Sequence, residues 1–312
     1  MKRLIIPAVL SILIAASASW AAADNAGTSG AVFLKIGVGA RAAGMGEAHV
    51  AVPEGADSLY WNPAGLTNLG IKDITFTHNE WIDDVRYEYV GASIPLFGNS
   101  AVGFSYSQLT MGELEGRDTQ GRPTADFTAG DRLFTVGWGI RPFSMLQAGA
   151  TFKYISSKIA DDNAKAYAGD FGAIFRPPLE GVSVGFAVHN VGTEIKFVDE
   201  GDPLPLTYRI GGGYILPFGG KTHKITVAVD GVKGNDTDFY VNTGAEYWLA
   251  NMVAVRAGYK ARYDEAGVTA GGGFRYLFSG SYGVQVDYAY ADMGTFGATH
   301  RVSVAALLGA GL

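Results

Sequence analysis

The chain has 312 residues, of which 48% are hydrophobic, 12% aromatic and only 17% charged, with 44 glycines and no cysteine. Average soluble domains carry about 25% charged residues, so this surface is not built mainly for water. A net charge of −6 argues against a nucleic-acid binder, which shows a basic patch or stripe. The absence of cysteine excludes disulfide scaffolds, thiol nucleophiles, thiolate metal sites and a lipoprotein anchor.

In chain order, Met1, Lys2 and Arg3 form a positive n-region, Leu4 to Ala18 an apolar core, and Ala21-Ala22-Ala23 a small-residue cleavage site. This pattern is that of a signal peptide, so residues 1–23 are expected to be removed on export. Loss of Lys2 and Arg3 leaves 22 basic against 30 acidic residues, a net charge of −8. Beyond this segment no run reaches the ~18 apolar residues of a spanning helix.

Residues 24–72 show no sustained alternation and are rich in Gly and Ala, with turn signals at Pro53-Glu54-Gly55 and Asn62-Pro63-Ala64-Gly65. From Asp73 onward the pattern changes to period-2 segments separated by turn residues, which reads as β-strands. The segments are 73–80, 87–96, 100–110, 132–141, 145–158, 166–176, 182–191, 206–216, 223–233, 238–249, 252–263, 267–278, 281–291 and 296–308. Fourteen strands at about 17 residues each exceed the ~8–12-residue spacing of soluble sandwiches. They suit strands of ~9–11 residues tilted across a bilayer.

Alternation defines two faces. Tyr282, Val284, Val286, Tyr288 and Tyr290 oppose Gly283, Gln285, Asp287 and Ala289, while Val253, Val255 and Tyr259 oppose Arg256, Gly258 and Lys260. Aromatic residues fall near the ends of apolar faces, where bilayer girdles require them. The opposite faces carry small residues and scattered charges, among them Lys153, Asp170, Arg209, Asp230, Glu246, Arg256, Lys260, Arg275 and Asp287. These are candidate lumen charges of a hydrated or plugged barrel. The expected fold is therefore an all-β transmembrane antiparallel barrel of 14 strands, residues 73–312, in the bacterial outer membrane and in contact with its lipid.

The segment Gly27-Thr-Ser-Gly-Ala-Val-Phe-Leu-Lys-Ile-Gly-Val-Gly-Ala-Arg-Ala-Ala-Gly-Met-Gly46, followed by Ala56-Asp-Ser-Leu-Tyr-Trp-Asn-Pro-Ala-Gly-Leu66, resembles the PorV/PorQ family of outer-membrane proteins. That family is similar to the FadL-type barrels, which share an Asn-Pro-Ala box, here Asn62, Pro63 and Ala64. The resemblance implies that residues 24–72 fold inside the barrel as a hatch. Gly37, Gly39, Gly44 and Gly46 would permit tight turns and close packing. Asp57 and Ser58 would satisfy local backbone donors, Tyr60 and Trp61 would wedge the segment against the wall, and Pro63 would hold Asn62 extended before Gly65.

Chemistry of other kinds finds little support. Gly37-Val-Gly39-Ala-Arg-Ala42 imitates a dinucleotide fingerprint but lacks the βαβ context. The five histidines are dispersed and no zinc spacing exists, so no metal or cofactor is expected. Gly103-Phe-Ser105-Tyr-Ser107 fails as a nucleophile elbow at its last position, so no enzyme is expected.

Two functions follow. The PorV/PorQ resemblance implies binding of the C-terminal signal domains of secreted cargo, and transfer to surface attachment within type IX protein secretion, with other secretion components as partners. Loops 111–131 and 192–205 exceed the common hairpin length and are the candidate docking surface. The alternative is FadL-like transport of hydrophobic small molecules such as long-chain fatty acids. An apolar cavity above the hatch would favour that alternative, as would a bulge or proline kink in an early strand, for which Pro95 is the candidate, and the lumen charges count against it.

Overall fold

The computed structural model describes residues 25–97, 99–218, 222–279 and 282–310. The expected signal peptide and its cleavage site lie outside these described residues. Among them no helix is long and apolar enough to cross a membrane, and the crossing elements are strands.

The strands are β1 (Ile71–Glu80), β2 (Arg86–Leu96), β3 (Ser100–Thr110), β4 (Ala129–Phe143), β5 (Leu146–Ile159), β6 (Asp162–Phe175) and β7 (Val182–Gly192). They continue through β8 (Ile195–Lys196), β9 (Gly201–Asp202), β10 (Thr207–Phe218), β11 (His223–Gly234), β12 (Phe239–Leu249) and β13 (Val253–Ala261). The last three are β14 (Val268–Ser279), β15 (Tyr282–Asp292) and β16 (Ala298–Ala310). β8 and β9 form a small ribbon of their own, and the other fourteen close an antiparallel barrel. Closure pairs β1 with β16, from Asn79 opposite Arg301 to Asp73 opposite Leu307. A closed barrel leaves no strand edge unpaired in lipid.

The expected fourteen strands match these in number and lie within a few residues of them. The ribbon β8–β9 was not expected, because two-residue strands carry no periodicity. The two longest connections lie at the same end. One end carries short turns such as 144–145 and 250–252, and the other carries 111–128 and 193–206. Barrels of the outer membrane keep short turns in the periplasm and longer loops outside.

Outward positions are apolar: Ile74 and Phe76 on β1, Phe134, Val136 and Trp138 on β4, Val284, Val286 and Tyr288 on β15 are all exposed. Tyr208, Tyr259 and Tyr290 sit towards the long-loop end, with Phe175, Phe278 and Tyr282 towards the other.

Inward positions are buried although they face a lumen, because residues 31–69 run through it. The segment begins beside the long-loop end, where Gly30 N donates to Pro203 O at 3.0 Å, and finishes at the short-turn end before β1. It contains only short helical turns, at Val32–Lys35, Ala40–Gly44, Gly55–Asp57, Ser58–Trp61 and Pro63–Thr67. Its apolar side chains Phe33, Leu34, Ile36, Val38 and Trp61 pack against Tyr87, Tyr89, Leu109, Leu133 and Ile155 of the β2–β5 wall. Most inward charges lie on the opposite wall, β10–β16, with Asp73 of β1, Lys153 of β5 and Asp170 of β6 outside it. The polar lumen that the charges imply carries, on β2–β5, an apolar patch that receives the apolar face of the segment.

Room for this segment comes from glycines on the inward face. A Cβ at Gly149 would fall on the Pro63–Ala64 peptide, one at Gly172 on the Asn62 side chain, one at Gly185 on the Val50 carbonyl, and one at Gly244 on the Met45 carbonyl. These positions need glycine for close backbone approach. At the lipid-facing Gly212 the nearest atom is the Ser183 carbonyl oxygen at 4.0 Å. Gly149→Ala is expected to destabilise the folded barrel by about 1–3 kcal/mol through overpacking, and Gly212→Ala to stay within about 0.5 kcal/mol of wild type. Urea unfolding in detergent measures both, and equal midpoints would contradict the packing.

Candidate functional site

A chain without regular structure can lie inside a barrel only if its backbone polar groups find partners there. Here the wall supplies them. Asp230 of β11 accepts from His49 N at 2.7 Å and Val50 N at 2.8 Å. Asp73 of β1 accepts from Ala56 N at 3.0 Å, and Tyr89 donates to Ala56 O at 2.7 Å. Ser303 accepts from Ala40 N at 2.8 Å, Thr269 from Gly46 N at 2.9 Å, and Ser183 donates to Ala51 O at 2.9 Å.

Asn62 is the most connected residue of the Asn-Pro-Ala box. Its Nδ2 lies within donating distance of Val50 O (2.9 Å), Ala173 O (3.1 Å) and Phe186 O (3.3 Å), joining the segment to β6 and β7. Its Oδ1 accepts from Ala64 N at 3.2 Å and caps the turn that Pro63 opens. The backbone of Asn62 is extended, at φ −170°, as a residue before proline must be. Ala64 and Gly65 are buried in the same turn.

Trp61 is fully buried and donates from Nε1 to Val38 O at 3.0 Å. Gly37 lies against its ring, so that a Cβ there would meet Cη2 at 2.8 Å. Gly39 leaves space for the Asp57 carboxyl, Gly44 faces Gly271, and Gly46 faces the Thr243 carbonyl. The expected capping by Asp57 and Ser58 is not found. Asp57 Oδ1 and Ser58 Oγ are buried without a hydrogen-bond partner, because the turn they open is buried against the wall with no side-chain cap. Burial first, then the neighbouring Asp73 charge, pushes the Asp57 carboxyl up to about 7.

The other expected lumen charges do not line a hydrated channel. Arg41 of the segment makes a bidentate pair with Glu246 (both 2.9 Å) and reaches Glu54 at 3.1 Å. Arg256 bridges Glu246 and Asp287, each at 2.7 Å. The result is an alternating chain of five charges, Glu54, Arg41, Glu246, Arg256 and Asp287. Lys260 pairs with Glu47 at 2.9 Å, and Lys153 with Asp170 at 2.7 Å. Arg41 was not singled out in the sequence. Its identity as the central cation follows only once the wall is folded around it.

Arg209 differs. It is 7% exposed, and its Cζ lies 5.0 Å from the centroid of the Trp61 ring. It has no carboxylate within ion-pair distance among the described residues, and its Nη1 is buried without a partner.

The wall's register shifts lie away from the expected site, three of them near strand ends at Ile71/Asp73, Ile140/Phe143 and Leu277/Ser279. Pro95 pairs in register with Ala101. The register of β6 and β7 shifts instead between Gly169 and Phe171. There Asn190 of β7 takes φ 63°, and its N–H donates to Asp170 Oδ1 at 2.8 Å. An extra residue of this kind is a β-bulge. It adjoins a cavity of about 110 Å³ on the long-loop side of the segment, lined by Tyr60, His189, Arg209, Tyr240 and Tyr263 among others. A larger recess of about 460 Å³ opens at the short-turn end beside Glu54, Asn68 and Arg176. No group of side chains among the described residues is arranged to hold a metal ion.

Two predictions follow from the buried charges. Arg41→Met leaves Glu246 short of one partner in the lumen and is expected to cost about 3–5 kcal/mol, read as a lowered urea midpoint. Asp57 binds a proton more tightly in the folded protein, so folding loses stability as pH rises from about 4 to about 7 and is level above that. Asp57→Asn removes this loss. Its midpoint is expected to exceed that of wild type at pH 8 and to converge with it at pH 4, whereas a constant gap would refute the assignment.

No protein-family model matches this sequence, and no curated protein matches it. Solved structures do match in fold. A TodX mutant described as a monoaromatic hydrocarbon channel aligns with a TM-score of 0.58 at 12% identity, over 86% of this chain and 97% of that one. A Pseudomonas aeruginosa FadL homologue aligns at 0.56 and 10% identity over the same shares. The Ralstonia pickettii toluene transporter TbuX aligns at 0.56 and 13% identity, again over 86% and 97%. At these identities the likeness concerns the fold alone, a closed fourteen-stranded antiparallel barrel similar to those of these proteins.

Proposed function

We propose that the protein is a non-catalytic outer-membrane uptake channel for small, largely apolar molecules, with residues 24–72 acting as its hatch. The observation that carries this reading is the cavity on the extracellular side of the segment, walled by Tyr60, Tyr240 and Tyr263 and adjoining the bulge in β7. A bulge re-aims side chains and interrupts pairing beside a functional site. The TodX, FadL-homologue and TbuX likenesses support the reading at the level of the fold. The apolar patch on β2–β5 supports it too, and of the lumen charges that count against it Glu246, Arg256, Asp287 and Lys260 are paired with one another or with the segment.

The test is expression in the outer membrane of a Gram-negative host lacking its own FadL homologue. Labelled toluene or oleate is expected to enter several-fold faster than with an empty vector, and equal rates would contradict the proposal. In planar bilayers, Asn62→Ala combined with Pro63→Ala is expected to raise ion conductance by loosening the hatch. Unchanged conductance from a folded mutant barrel would remove the hatch assignment.

A second reading has its own support. The Gly27–Gly46 and Ala56–Leu66 blocks resemble the PorV/PorQ family, and the exterior end presents two built loops. Residues 111–128 carry bridges between Leu114 and Phe127 and between Arg117 and Pro123, and 193–206 holds the β8–β9 ribbon. On this reading the loops receive C-terminal domains of secreted cargo. Native mass spectrometry of protein extracted from its own membrane separates the two. Co-purified secreted proteins sharing a C-terminal β-domain favour secretion, and a barrel carrying an apolar ligand favours uptake.

A further inference from the structure

Burying an arginine guanidinium is costly unless a carboxylate or a full set of acceptors accompanies it. Within this barrel the rule holds at Arg41 and Arg256, each of which contacts two carboxylates. Lys153 and Lys260 have one each. Arg209 breaks it. Its guanidinium rests on the Trp61 ring, with no hydrogen bond or ion pair among the described residues. A cation–π contact is worth too little to offset such burial.

Arg209 lines the cavity on the extracellular side of the segment, and so does His189, whose Nε2 is also buried and unpartnered. Tyr60, Tyr240 and Tyr263 supply the aromatic part of the lining, and Lys35, Glu47, Lys153 and Lys260 its other charges. Tyr240 and Tyr263 stack with ring centroids 4.0 Å apart, and Tyr60 lies 6.3 Å from the His189 ring, nearly parallel to it. The lysines of the cavity are already neutralised, Lys35 by Asp236, Lys153 by Asp170 and Lys260 by Glu47. One arginine without an ion pair thus faces a small chamber that three tyrosines help to wall. Its volume of about 110 Å³ gives room for on the order of eight water-sized positions. That is the scale of one ring with a carboxylate, and too short for a long acyl chain.

We propose that this cavity is a binding site for a small aromatic monocarboxylate, with the carboxylate on Arg209 and the ring among Tyr60, Tyr240 and Tyr263. A planar guanidinium suits a carboxylate through two parallel hydrogen bonds, and the tyrosine faces suit the apolar body. The inference deepens the uptake reading and rests on it for the ligand's route, while binding itself is measured without transport.

The experiment is isothermal titration calorimetry on the purified barrel in detergent, with benzoate, benzyl alcohol and toluene as ligands. Benzoate is expected to bind at least about tenfold more tightly than benzyl alcohol, the discrimination a charge-assisted hydrogen bond provides. Arg209→Gln is expected to abolish the difference and Arg209→Lys to retain part of it. Equal affinities of benzoate and benzyl alcohol for the wild-type protein would overturn the proposal, and this comparison needs no variant to fold. Unchanged benzoate affinity in a heat-modifiable, folded Arg209→Gln barrel would overturn it equally. Benzoate-selective binding without faster toluene or oleate uptake in cells would leave the site standing and remove the uptake reading. Uptake without benzoate selectivity would do the reverse.

Discussion

Every feature of this barrel depends on one constraint: an irregular chain inside a closed wall must have its peptide groups satisfied by that wall. Helices and strands satisfy themselves, whereas the short turns between Val32 and Thr67 do not. Asp230, Asp73, Ser303, Thr269, Ser183, Tyr89 and Asn62 close this deficit, and all but Asn62 project from barrel strands. The same constraint accounts for the inward glycines, since backbone can approach backbone only where no Cβ intervenes. Segment and wall are one interior, not a tail lodged in a pore.

Electrostatics divides that interior into two halves. Against β2–β5 the segment packs as an ordinary apolar core around Phe33, Leu34 and Trp61. Against β11–β15 it is held by the charge chain from Glu54 through Arg41, Glu246 and Arg256 to Asp287. Such pairs stabilise little in net terms but make a change of register expensive, because a displaced partner leaves a buried charge behind. Arg209 stands outside this scheme, at the boundary between the fixed interior and a cavity open to a ligand.

Much of the fold was legible because period-2 alternation survives wherever a strand has lipid on one side. Tyr282 to Tyr290 and Val253 to Tyr259 read their faces correctly from sequence, and the long connections after β3 and β7 stood out by length. The Asn-Pro-Ala box was legible through resemblance, and the extended Asn62 through its proline. What escaped is what depends on opposing surfaces. Gly149, Gly172, Gly185 and Gly244 look like ordinary strand glycines, although their recurrence at inward positions was a usable signal. The bulge at Asn190 has no proline or glycine to announce it, and attention fell on Pro95 instead. Arg209 was grouped with Glu246 and Asp287 as a lumen charge. Its isolation is a property of which carboxylates lie near it, and one sequence does not order those distances.

The central claim is that residues 38–66 belong to the barrel's core, with their amide groups bonded or sheltered by the wall. Hydrogen–deuterium exchange of the protein in nanodiscs, read by mass spectrometry, tests it most directly. Peptides covering 38–66 are expected to exchange as slowly as those from β15 and β16. Complete exchange of 38–66 within seconds, while the strands remain protected, would contradict the account.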